Sequence, residues 1–79
     1  MWYFLIKQAA LEASQYRSLQ QKASMTEDEL FNEPYENWYI FSIERDQYNS
    51  FMDLLDREGV DYELKANRPT RDEMLAEMK

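Results

Sequence analysis

The strongest pattern of apolar and polar positions lies in residues 37–65, NWYIFSIERDQYNSFMDLLDREGVDYELK. It opens on an apolar run, Trp38, Tyr39, Ile40 and Phe41. Tyr48, Phe51, Met52 and Leu55 follow at i, i+3, i+4 and i+7, the spacing that lines one face of a helix. Gly59 then stops that helix, because glycine takes the left-handed cap conformation without a Cβ clash. Val60, Tyr62 and Leu64 alternate with Asp61, Glu63 and Lys65, the period of a strand with one wet face. Strand, helix and strand with almost no loop make a compact βαβ unit.

Residues 1–7, MWYFLIK, hold five consecutive large apolar residues closed by a lysine. Their β-branched and aromatic content favours a strand, and apolar residues on both faces favour a central one. Residues 8–24 have helix formers throughout and no Gly or Pro, with a thin apolar stripe of Ala9, Ala13, Tyr16, Leu19 and Ala23. Such a helix lies on a sheet but buries little.

Two readings fit residues 25–37, MTEDELFNEPYEN. Thr26 with Glu29 matches a capping box and would open a short helix ending before Pro34. Alternatively, residues 29–32 form a short edge strand and 33–36 turn into Trp38. Asn67, Arg68 and Pro69 break the chain. Thr70 with Glu73 is a second capping box, opening a last helix over 71–79 with Met74, Leu75 and Met78 on one side. A helix this short must dock on something to persist.

With the edge-strand reading the order becomes βαββαβ plus a C-terminal helix. The fold class expected is α+β, a small ferredoxin-like sandwich with an antiparallel or mixed sheet and helices on one face. Residues 1–79 form a single domain, with the sheet and two helices in 1–66 and the last helix in 70–79. The two all-apolar strands then sit side by side at the centre. One face of the first strand offers Trp2, Phe4 and Ile6, the other Tyr3, Leu5 and Lys7. One face of its neighbour offers Trp38, Ile40 and Ser42, the other Tyr39, Phe41 and Ile43. Neither side is polar, so the face opposite the two main helices needs a cover. The C-terminal helix, a second copy of the chain and a partner are the candidates.

Charge sharpens the picture. Residues 1–26 carry a net +2, residues 27–63 a net −10 and residues 64–79 a net +1, summing to −7. Such a field repels phosphate backbones and attracts basic surfaces. No cysteine and no histidine occur, which removes disulfides, thiol nucleophiles, imidazole bases and ordinary zinc ligation. One glycine cannot build a phosphate-cradling loop. No apolar run approaches a membrane span, and no secretory pattern precedes Trp2, so a cytoplasmic protein without membrane attachment is expected.

No catalytic, cofactor-binding or metal-binding residue is assigned, and an enzyme is not expected. Glu27, Asp28 and Glu29 lack the spacing and turn glycine of a calcium loop and read as solvated acids. The candidate partner-binding acids are Glu27, Asp28, Glu29, Glu33, Glu36, Asp53, Asp56, Glu58, Asp61 and Glu63. The candidate apolar contacts are Trp2, Tyr3, Trp38, Tyr39, Met74 and Met78, against the plainer alternative of core packing. Direct nucleic-acid binding by base stacking is disfavoured by the sign of the charge and by the missing glycine and basic residue of that sheet motif.

The function expected is a small acidic protein-binding domain. It would regulate or inhibit a larger protein, in the manner of a viral or prokaryotic regulator or nucleic-acid mimic, by occupying a basic surface such as one that binds nucleic acid. The alternative is a homodimeric sensory or structural module that pairs through the open aromatic face.

Overall fold

In the computed structural model, which describes residues 1–31 and 33–78, the two all-apolar strands lie side by side. β1 (Trp2–Lys7) pairs antiparallel with β3 (Trp38–Ile43) along its whole length, from Trp2 opposite Ile43 to Lys7 opposite Trp38. β2 (Met25–Glu29) adds to the outer side of β3, and β4 (Glu63–Lys65) to the outer side of β1. The sheet is therefore antiparallel with the order β2-β3-β1-β4. The helices are α1 (Ala13–Lys22), α2 (Tyr48–Glu58) and α3 (Arg71–Met78), and the architecture is α+β.

The register decides which side chains share a face. Phe4 stands opposite Phe41, and Leu5 opposite Ile40. On one face Phe4, Ile6, Phe41 and Ile43 meet Leu19 of α1 and Phe51 and Leu55 of α2. Phe51 bridges the two central strands, its ring 4.7 Å from that of Phe4 and 5.5 Å from that of Phe41. On the other face Leu5, Trp38 and Ile40 are covered by Phe31 and by Met74 of α3, with Tyr35, Leu75 and Met78 at the margin. The C-terminal helix is thus the cover that the second face requires.

Local chemistry explains the element ends. Gly59 takes φ 68° and ψ 32°, its N–H bonding the Asp56 carbonyl at 3.2 Å. The Val60 N–H reaches the Leu55 carbonyl at 3.0 Å, so α2 ends in a Schellman cap with apolar Val60 tucked into the core. The capping box that opens α3 is present. The Glu73 N–H donates to Thr70 Oγ1, and the Thr70 N–H donates to Glu73 Oε1, both at 3.1 Å.

Three expectations need correction. The helix expected over 8–24 is a single 3-10 turn at Gln8–Ala10, then extended backbone at Leu11 and Glu12, then α1. Glu12 caps α1, its N–H donating to Gln15 Oε1 at 2.9 Å. The Gln8 N–H meanwhile continues the sheet by bonding the Asn37 carbonyl at 3.0 Å. Second, residues 25–29 are a strand, so no capping box forms at Thr26. The edge strand begins four residues before the expected 29–32, because Met25 to Glu29 find ladder partners on β3. Third, β4 is only three residues long, although Val60, Tyr62 and Leu64 all pack on the first-face core as their alternation implies. The expected extents through Asn32 and to Lys79 lie outside the described residues at those two positions.

Met74 is 3% exposed and is the one fully buried residue of α3. Met74→Ala should therefore lower stability by about 2–3 kcal/mol in urea unfolding, the usual cost of emptying a methionine-sized core site. Unchanged stability would mean that α3 does not hold the second face closed.

Candidate functional site

The candidate acids separate into three groups once the chain is folded. The first is spent inside the molecule. β2 alternates, and Glu27 and Glu29 lie toward α3. Glu29 Oε1 accepts from Arg68 Nη2 at 2.9 Å and its Oε2 from Arg71 Nη1 at 2.7 Å, while Glu27 Oε2 accepts from Arg68 Nε at 2.7 Å. The Glu29 side chain is only 12% exposed. Arg71 also covers the Phe31 ring, 4.5 Å from its centroid, and donates to the Leu30 carbonyl at 2.9 Å. These bonds fasten the start of α3 to β2, and both carboxylates hold the Arg68 guanidinium charged.

The second group is open to solvent. Asp53, Asp56 and Glu58 lie exposed on α2, and Asp61 follows in the turn to β4. Asp28 and Glu33 are exposed nearer the β2 side. None of the six makes an ion pair among the described residues. Asp56 lies close enough to Tyr62 to help raise its phenol, after the larger effect of burial. Asp28 does the same for Tyr16.

The third group converges on a cleft of about 390 Å³ at one end of the second face. Its walls come from β1, β3, β4, α3 and the 34–36 turn. Glu36, Trp38, Glu63, Met74 and Met78, all singled out in the sequence, line it. Lys7, Tyr35 and Glu77, which were not, line it too, together with Leu5 and Pro34. Lys7 Nζ lies 2.9 Å from Glu36 Oε2 and 5.7 Å from the centroid of the Trp38 ring. The hydrogen bond that Lys7 donates to Glu36, then the Glu36 charge, raises the Lys7 ammonium, and Glu63 and Asp61 add to this from β4 and the turn before it. Lys65 Nζ pairs with Glu77 Oε1 at 2.7 Å. That bond lowers the Glu77 carboxyl and raises the Lys65 ammonium. Glu63 is the odd member. Partial burial raises its carboxyl, and the neighbouring Glu77 carboxyl, within hydrogen-bonding reach, raises it further. Trp38 Nε1 is satisfied by Met78 Sδ at 3.2 Å.

The remaining apolar candidates belong to the cores. Trp38 is 8% exposed beneath α3. Trp2 rests half-buried against Tyr48 at 5.4 Å between ring centroids, and Tyr39 half-buried against Tyr16 at 4.6 Å. Tyr3 is half-buried at the margin of the second face. A more open groove of about 700 Å³ between the ends of α1 and α2 is lined by Ser18, Gln21, Lys22, Gln47 and Leu54, without a carboxylate or an aromatic ring. Among the described residues no group of three or more acids is placed to hold a metal ion, and no helix is long and apolar enough to cross a membrane.

The signs of the two shifted carboxyls separate their effects on stability. The Glu63 carboxyl is raised, so above the usual 4.5 the folded chain retains a proton that the unfolded chain has lost. Stability falls as pH rises from 4.5 through the raised value. The Glu77 carboxyl is lowered, so its contribution is present above 4.5 and lost as pH falls below it. Glu63→Gln should accordingly gain on the wild type as pH rises from 4.5 to neutrality. The gain should stay within about 1 kcal/mol because the group is largely solvated. Parallel urea curves across that range test this, and a constant difference would contradict it.

Comparison with protein-family models, with curated proteins and with solved structures finds no match to this chain.

Proposed function

We propose that this chain is a small, non-enzymatic protein-binding domain that docks through its acidic side onto a basic surface of a larger protein and so regulates or inhibits it. A surface that itself binds nucleic acid would offer the right charge. The observation that carries this reading is the division of labour between apolar and charged groups. Both sheet faces are covered by the chain's own helices, while Asp53, Asp56, Glu58 and Asp61 stay exposed and unpaired among the described residues. Unpaired, solvated carboxylates of one sign steer encounter with a basic partner and favour it over others.

The fold is read as a ferredoxin-like βαββαβ sandwich with an appended helix. The central position of β1 and β3, with β2 and β4 at the edges, supports that reading. The rival module, a dimer built on an open aromatic sheet face, loses its main support because Phe31, Tyr35 and α3 already occupy that face.

The test is capture by the tagged full chain beside a variant carrying Asp53, Asp56, Glu58 and Asp61 as lysines, its fold checked by circular dichroism. A protein held stoichiometrically at low salt, released by high salt and bound about tenfold or more weakly by the variant is the expected result. Equal capture by the folded variant would remove the electrostatic reading.

A further inference from the structure

We propose that the cleft between β1, β4 and the end of α3 receives a lysine side chain of the partner, its ammonium held by Glu63 and Glu77 and its stem lying along Trp38 and Met78. This inference rests on the docking function proposed above and names its anchor.

The chain already places one ammonium in this cleft. Lys7 Nζ sits between the Glu36 carboxylate, at 2.9 Å, and the Trp38 ring, at 5.7 Å. A carboxylate beside an aromatic face is the combination that holds a cation with a long apolar stem. The walls carry Glu36, Glu63 and Glu77 against Lys7, and Lys65 pairs with Glu77 from β4, so one negative charge remains in excess. Glu36 is taken by Lys7 and one oxygen of Glu77 by Lys65, whereas Glu63 makes no ion pair among the described residues. An ammonium arriving beside Glu63 would relieve the repulsion between two neighbouring carboxylates and could donate to both. A metal ion suits the cleft less well, because its carboxylates are not gathered as a metal-binding group. The volume, about 390 Å³, lies at the low end of the usual range for small-molecule sites and leaves room for one lysine side chain. Asp61 lies within electrostatic reach of Lys7. A lysine in the cleft would therefore leave a neighbouring basic residue of the same partner within reach of Asp61.

The probe is octalysine, titrated into the isotope-labelled full chain while amide and indole resonances are followed by nuclear magnetic resonance. The Trp38 indole and the Lys7 and Glu63 amides should shift together, while the Trp2 indole stays still. Glu63→Gln should weaken binding by about fivefold, as loss of one partly solvated charge contact does. Lys7→Gln, a change at an exposed side chain, should strengthen it by freeing Glu36. Shifts confined to Asp53, Asp56 and Glu58 would overturn the cleft assignment and leave the docking function standing. Shifts at the cleft with Lys7→Gln binding more weakly would also overturn it. No shift anywhere, at low salt, would remove the docking function together with its anchor.

Discussion

The pairing of β1 with β3 constrains everything else. Both strands are apolar on both faces, and they sit beside each other at the centre of the sheet. Phe4, Leu5, Ile6, Ile40, Phe41 and Ile43 are all at most 1% exposed, so the pleat sends large side chains to both sides at once. Leaving either side to water would forfeit the burial that drives the fold and would offer an adhesive surface. α1 and α2 close the first face. α3 with Phe31 and Tyr35 closes the second, and the chain from Arg68 onward is shaped by that duty.

The ionic groups follow from the same geometry. A short cover with one fully buried residue needs help, and Arg68 and Arg71 supply it by gripping Glu27 and Glu29. Charge-assisted hydrogen bonds to a carboxylate that is 12% exposed are worth more than ordinary surface pairs. Those two acids are thereby withdrawn from the outer surface. Among the acids left exposed are those of α2 and the following turn, Asp28 and Glu33 nearer β2, and those of the cleft at the end of the second face. Chemistry and packing meet in that cleft because Lys7 and Trp38 are register partners, the last residue of one central strand opposite the first of the other.

What was legible in the sequence is what short-range periodicity encodes. The Trp38 run, the Tyr48–Phe51–Met52–Leu55 spacing, Gly59 and the Thr70–Glu73 box each report on their own few residues, and each is found in place. Residues 25–29 were ambiguous because Thr26 and Glu29 carry a helix-start pattern while their ladder partners lie far along the chain. Tertiary pairing prevails there over a local capping preference. The helical pattern over 8–24 overruns the helix itself because nothing in its composition marks Leu11 and Glu12 as extended. Of the site, Glu36, Trp38, Glu63, Met74 and Met78 were singled out, yet as separate members of an acidic set and an apolar set. Their convergence depends on strand register and on where α3 docks, as does the role of Lys7, Tyr35 and Glu77. The strand-ending position of Lys7 was visible, but its partner was not.

The proposed docking requires that this chain cover both of its sheet faces by itself and leave charge, not apolar surface, for a partner. Sedimentation equilibrium over a wide range of concentration, in low and in high salt, tests it most directly. A monomer of 9.6 kDa in both is the result that follows from a closed second face. A dimer that persists or tightens in high salt would contradict it, because apolar association strengthens where ionic contacts are screened.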